Sequence, residues 1–216
     1  MLQPALTRSR VLAWRAMRLA TWNVNSLAAR MPRVESWLAE MEPDVLCLQE
    51  TKLTDAAFPA LTFKGLGYEA AHFGQGQWNG VAILSKVGLT DVVCGFDDGQ
   101  ADDPDARLLW ATCGGVRIAS VYVPNGRSLT DDHYRYKLGW LERLRTVLVN
   151  RYRTDEPLAI CGDYNIAPAD DDVWDLREFQ DSTHVSAAER AAYQGLLAWG
   201  MVDTFRLRYP DSGRAW

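Results

Sequence analysis

Apolar residues recur along this chain in two spacings. Short runs, unbroken or alternating, read as strands: "RLATWN", "VLCLQE", "GVAILSK", "RLLWATC", "VRIASVYVPNG" and "LAICGDYNIAP". Longer stretches repeat every three to four residues and predict helices. Ser26 and Pro32 mark one helix start, after which Val34, Trp37, Leu38 and Met41 share a face until "EPD" breaks the run. From Asp131, a second helix places Tyr134, Leu138, Leu141, Leu144 and Leu148 on one face and Arg143, Arg145 and Arg151 largely elsewhere. "SAAE", Ser186 to Glu189, is a capping box opening a third helix that Gly200 closes. The middle strands follow one another through short connections, which favours antiparallel pairing, and "FDDGQADDPDA" is an acidic loop. Helices covering sheets make this a mixed α/β chain.

With 216 residues, 48% of them hydrophobic, and no linker or repeat, one large domain is expected. The formal charge of −5 sets the chain apart from generic basic nucleic-acid binders. Residues 1–16 carry Arg8, Arg10 and Arg15 and no acid, so the remainder holds −5 minus 3, or −8. A phosphate partner would therefore need a local basic strip or a metal. The leader 1–16 has neither the apolar run nor the cleavage site of a signal peptide; it reads as a loose tail or a mis-assigned start ahead of Met17. Cys47, Cys94, Cys113 and Cys161 form no C-x-x-C pair, and Cys47 and Cys161 sit inside apolar runs. Buried free thiols and a reducing cytoplasm are expected. No run reaches membrane-spanning length.

Three of the strand-like runs end in polar groups: Asn23 with Asn25, Glu50, and Asp163 with Asn165. Asn and Asp after a strand are common turn formers, but Glu is not. Together they offer carboxylate and amide oxygens, hard ligands suited to magnesium or manganese rather than zinc. Tyr122, near the end of another strand, is either half-buried packing or a hydrogen-bond donor to a phosphate oxygen. The chain has three His and no H-x-x-x-H or H-x-E arrangement, no P-loop and no G-x-S-x-G elbow, and "GQGQWNG" does not match a dinucleotide fingerprint. Metal-assisted hydrolysis with oxygen ligands remains.

"TWNVNSL", "DVLCLQETKL", "NGVAILSK", "VYVPNG", "LAICGDYNIAP" and "WGMVDTF" resemble, in order and spacing, the exonuclease III family of DNA-repair nucleases in the endonuclease/exonuclease/phosphatase superfamily. The resemblance covers residues 17–216. It implies a four-layer α/β/β/α sandwich and magnesium-dependent phosphodiester hydrolysis of duplex DNA, with manganese as an alternative ion. The implied substrates are double-stranded DNA with abasic sites or 3′ ends, cut by abasic-site endonuclease and 3′-to-5′ exodeoxyribonuclease action in base-excision repair. A monomer with no membrane partner is expected. By motif, Glu50 resembles the principal metal ligand, with Asn23, Asp163 and Asn165 beside it. Asp163 resembles the carboxylate that orients or deprotonates the attacking water or protonates the leaving oxygen, Asn165 the group holding phosphate or water, and Tyr122 the phenol at the scissile phosphate. Lys52, Arg107 and Arg127, next to these motifs, are the DNA-backbone candidates; solvated surface charge is the alternative for each.

Members of that family continue with an "R-I-D" stretch and a final "S-D-H", and neither follows Trp216. The expectation is therefore an incomplete domain, 17–216, with C-terminal strands missing, a sheet edge unpaired and poor solubility. General acid-base help is worth about 10²- to 10⁴-fold, so its loss predicts weak activity. Two other readings stand beside the nuclease: a non-catalytic truncated remnant, and a superfamily phosphodiesterase acting on RNA, a lipid headgroup or a phosphoinositide. "DDH", Asp131 to His133, reads as a helix cap rather than a substitute base.

Overall fold

The computed structural model describes residues 16–179 and 181–210; the expected leader lies outside the described residues apart from Ala16. One sheet is built from β1 (Leu19–Asn23), β2 (Val45–Gln49), β3 (Glu69–Phe73) and β4 (Val81–Ser85) in the order β1-β2-β4-β3. The other is built from β5 (Thr90–Cys94), β6 (Leu108–Cys113), β7 (Val116–Tyr122) and β8 (Leu158–Asp163), in that order. Helices α1 (Leu27–Met41) and α2 (Ala60–Gly65) belong to the first sheet, and α3 (Asp132–Arg151), α4 (Ala187–Trp199) and α5 (Thr204–Arg208) follow from the second.

Alternation along the strands sorts the apolar side chains into three layers. In β2 and β4, Leu46, Leu48, Ala82 and Leu84 face Val34 and Leu38 of α1, while Val45, Cys47, Val81 and Ile83 face the second sheet. There they meet Leu109, Ala111, Cys113 and Ile118, and on the far side of that sheet Leu108, Trp110, Ala119 and Val121 pack on Trp140, Leu141, Leu144 and Leu148 of α3. The result is the expected four-layer α/β/β/α sandwich. Unbroken apolar runs such as "VLCLQ" are buried on both faces, which is why they lack alternation.

Two strand pairs are parallel, β1 with β2 and β7 with β8. Their crossovers are α1 and α3, so each is a strand–helix–strand unit. The middle pairings β2/β4, β3/β4, β5/β6 and β6/β7 are antiparallel. β1 and β8 end their respective sheets and lie against each other. A cleft of about 640 Å³ opens along them, with Tyr164, Tyr193, Trp199 and Met201 on its wall.

Several local expectations change. Pro32 lies within α1 rather than in its first turn. The start is fixed instead by the Ser26 hydroxyl, which accepts from the Ala29 amide, and by backbone bonds from Ser26 and Leu27 to the Glu50 and Thr51 carbonyls. The buried face of α3 is Lys137, Trp140, Leu141, Leu144, Val147 and Leu148, with Tyr134 and Leu138 at its margin. Asp131 caps α3 by accepting from the His133 amide, and Ser186 and Glu189 form the capping box of α4, which Gly200 closes. All four cysteines are free, but Cys94 is exposed, because β5 is an edge strand with a bulge between Thr90 and Val93. Among the described residues no helix is long and apolar enough to cross a membrane.

Candidate functional site

Parallel strands bring their C-terminal ends to the same edge of a sheet. In register, Asn23 at the end of β1 stands beside Gln49, the residue before Glu50, and Tyr122 at the end of β7 stands beside Asp163 at the end of β8. Stacking the two sheets with β1 against β8 places all four ends together. The Asn23 side-chain amide donates to Glu50 Oε1 at 2.8 Å and to Asp163 Oδ2 at 2.8 Å. One carboxamide thus joins carboxylates from both sheets. Its own oxygen accepts from the Asn25 amide at 3.0 Å, which fixes which end of the amide faces the acids.

The chain leaves these strands through left-handed backbone: φ is 42° at Asn25, 53° at Glu50, 53° at Lys52 and 50° at Asn165. Asn adopts this region readily, whereas Glu and Lys do not, and each such residue carries about 1–3 kcal/mol of strain. Backbone bonds hold the Glu50 turn from both sides. Ser26 N donates to the Glu50 carbonyl at 2.7 Å, Thr51 N to the Gly80 carbonyl at 3.1 Å, and Lys52 N to the Asn79 carbonyl at 3.0 Å. Gly162 is needed for a different reason. A Cβ there would lie 1.9 Å from the Val121 carbonyl oxygen, so only glycine lets β8 approach β7 one residue before Asp163.

Burial alone would raise the Glu50 pKa, but hydrogen bonds from Asn23, Lys52 and the Tyr122 hydroxyl outweigh it and hold the carboxyl below its usual value. Lys52 Nζ lies 3.1 Å from Glu50 Oε2 and also donates to Asn25 Oδ1. Burial, reinforced by the Glu50 charge, pushes the Tyr122 phenol well up, so it stays a protonated donor. The Arg107 guanidinium stacks 4.7 Å from the Tyr122 ring centroid, donates to the Tyr122 carbonyl at 3.2 Å and pairs with Asp105 at 2.8 Å. Arg107 is buried behind the phenol rather than presented to solvent. Arg127 is exposed, with Asp131 4.0 Å away.

Asn165 is tied to Asp163 by its backbone amide at 2.9 Å, and its side-chain amide donates to the Val123 carbonyl at 2.9 Å. Its oxygen lies 3.3 Å from His184 Nε2, which is also 3.2 Å from Asn125 Nδ2. His184 has no motif of its own in the sequence. Its only signal is its place two residues before the Ser186 cap, whose partner Glu189 accepts from the His184 amide at 2.9 Å. Burial, then the nearby Lys137 charge, lowers the His184 pKa. A hollow of about 450 Å³ beside Asp163 and Asn165 is walled by Ile166, Val173, Phe179 and His184.

Glu50 and Asp163 present only hard oxygen donors, and two carboxylates facing the one Asn23 amide nitrogen concentrate negative charge. That set fits a hard divalent cation held by one or two carboxylates and completed by water or phosphate. Among the described residues no three His, Cys, Asp or Glu side chains gather as a self-sufficient metal cage.

The model of the "Endonuclease/Exonuclease/phosphatase family" matches residues 20–216. The chain is 32% identical over 210 residues to exodeoxyribonuclease III of Haemophilus influenzae, covering 91% of this chain and 77% of that one. Among solved structures it is similar to an AP endonuclease from Archaeoglobus fulgidus, with TM-score 0.87 and 35% identity over 92% of this chain and 76% of that one. It is equally similar to a 3′ phosphatase from Neisseria bound to a product DNA hairpin, with TM-score 0.87 and 39% identity over 92% and 77%. With strand ends from both sheets meeting at one amide-bridged pair of carboxylates, the chain belongs to the endonuclease/exonuclease/phosphatase family.

Proposed function

We propose that this chain hydrolyses phosphodiester bonds of double-stranded DNA, nicking beside abasic sites and trimming 3′ ends in the manner of exonuclease III, with magnesium as the ion and manganese as its substitute. The carrying observation is the Asn23 amide shared between Glu50 and Asp163. The names of the Haemophilus and Archaeoglobus relatives support the choice of DNA and of abasic sites. Glu50, with Asn23, Asp163 and Asn165 around it, would hold the cation. When bound, the cation polarises the phosphoryl oxygen and stabilises charge on the leaving oxygen.

The remaining work falls to side chains. Tyr122, kept protonated, donates to a phosphate oxygen without adding negative charge, and Arg107 behind it fixes the ring. The Asp163 carboxylate orients the attacking water and accepts its proton, while Asn165 holds the water or a phosphate oxygen. Lys52 and Arg127 meet the DNA backbone; the acidic overall charge of −5 makes such local cations necessary. The protein works as a monomer in the cytoplasm.

The test is nicking of an abasic duplex and 3′ trimming by the purified chain in magnesium. Glu50→Gln and Asp163→Asn are each expected to lower turnover by at least about 100-fold, the scale of a lost charge-stabilising or proton-accepting group. Unchanged rates in both variants would refute the proposal.

A further inference from the structure

Between the two strained residues Glu50 and Lys52, each with φ of 53°, lies Thr51, which is fully buried. Its hydroxyl is 2.8 Å from His72 Nε2 on β3, and His72 Nδ1 is 2.8 Å from Asp55 Oδ1. That same Asp55 oxygen accepts from the Gly74 amide at 2.8 Å. Because Asp55 accepts from Nδ1–H, Nε2 is left as the acceptor and the Thr51 hydroxyl donates to it. The imidazole is enclosed: Phe58 stacks on it with centroids 4.2 Å apart, and its side chain is 4% exposed. The space is cut to fit, since a Cβ on Gly74 would lie 2.3 Å from His72 Cε1 and one on Gly80 would lie 2.1 Å from the Thr51 hydroxyl.

We propose that Asp55, His72 and Thr51 form a positioning relay that holds the Glu50 carboxylate in place, an inference that rests on the reading of Glu50 as a metal ligand. The order carboxylate, imidazole, hydroxyl is that of a nucleophilic triad, but the buried Thr51 oxygen has no route to a substrate. What it does have is the backbone of Glu50. Thr51 is one residue from the ligand, its amide bonds the Gly80 carbonyl and its carbonyl accepts from the Leu27 amide. Locking its side chain through β3 leaves the turn one conformation. Without the lock, Glu50 and Lys52 are free to relax toward ordinary backbone angles and carry the carboxylate away from Asn23.

Outer partners of metal ligands are worth about 10- to 100-fold in metal affinity. The experiment measures Mn²⁺ binding to the full chain by electron paramagnetic resonance, with thermal unfolding recorded for each variant. His72→Phe keeps the stack on Phe58 and removes both ring nitrogens; Thr51→Val removes only the hydroxyl. Each is expected to weaken Mn²⁺ binding about tenfold, and the double variant to be no worse than either, as members of one relay are not additive. Asp55→Asn still accepts from Nδ1–H and from Gly74, so it is expected to bind Mn²⁺ within about twofold of wild type. Lowered stability with unchanged Mn²⁺ affinity in His72→Phe and Thr51→Val, or additive losses in the double variant, would overturn the relay alone. A wild-type chain that takes up no Mn²⁺ would overturn the reading of Glu50, and the relay with it.

Discussion

Lys137→Met removes the cation from an ion pair whose two side chains are both 0% exposed. Lys137 Nζ donates to Glu189 Oε1 at 2.5 Å, to the Asn165 carbonyl at 2.5 Å and to the Asn125 carbonyl at 3.3 Å. Met fills the volume of the stem but leaves Glu189 charged and two carbonyls without this donor. Breaking one side of a buried pair costs about 3–5 kcal/mol. Glu189 keeps bonds from the His184 amide at 2.9 Å, the Ser186 amide at 3.1 Å and the Ser186 hydroxyl at 2.7 Å, which puts the pair near the lower end. Adding about 1 kcal/mol for each abandoned carbonyl gives about 5 kcal/mol in all. For a domain of this size that is a fall in Tm of about 10–20 °C. Urea unfolding at pH 7, followed by tryptophan fluorescence and calorimetry, measures it. The companion Lys137→Met/Glu189→Gln removes the stranded charge and keeps an acceptor for the His184 amide, so it is expected to recover about half of the loss. A single variant costing under about 1 kcal/mol, or a double variant no more stable than the single, would refute the account of the pair as a buried charge in need of its partner.

Gly162→Ala places a Cβ 1.9 Å from the Val121 carbonyl oxygen, so β8 must withdraw from β7; the expected outcome is insoluble protein or a midpoint loss of several kcal/mol in urea. Tyr122→Phe deletes a donor to a charged acceptor, worth about 1.5–3 kcal/mol, and kcat on an abasic duplex is expected to fall about 10- to 100-fold with little change in Tm. Arg143 donates to both oxygens of Asp98 at 2.7 Å and brings its pKa from 3.8 down to about 2. A depressed carboxyl stabilises the fold above its unfolded value, so that share is present above about pH 4 and is lost as pH falls toward 2. Acid unfolding of Arg143→Met should lack this component, and identical acid profiles would count against the pairing.

The strands that carry the site are legible because each combines an apolar run with a polar end. "VLCLQE" and "LAICGDYNIAP" have no residue that a solvent face would explain, so their terminal Glu50, Asp163 and Asn165 stand out. β3 and β5 are not legible for opposite reasons. "EAAHF" is rich in Ala, a weak strand former, and its chemistry depends on Asp55 and Thr51, distant in sequence. "TDVVC" is an edge strand with mostly exposed side chains, so no burial pattern marks it. Lys137 looks like a surface residue because Lys is almost never enclosed unless paired, and its partner Glu189 reads locally as a capping-box residue. His184 is hidden in the same way, since its neighbours Asn125 and Asn165 lie 59 and 19 residues away.

The topology explains why so much of the site can be read from strand ends at all. An antiparallel sheet sends successive C-terminal ends to opposite edges, so polar ends would scatter. Here the two parallel pairs, β1 with β2 and β7 with β8, are each closed by one long helix, α1 and α3. Each pair therefore delivers two ends to one edge, as in open α/β sheets that bind ligands beyond the carboxyl ends of their strands. Face-to-face stacking brings the two edges together along β1 and β8, and the Asn23 amide closes the gap between Glu50 and Asp163. Charge supplies the rest of the constraint. The Asn23 amide, Lys52 and the Tyr122 phenol offset the cost of burying the Glu50 charge and keep that carboxylate ionised at the shared edge. The antiparallel strands act on this edge from behind: β3 places His72 against Thr51, and the Asn79 and Gly80 carbonyls leading into β4 hold the backbone just after Glu50.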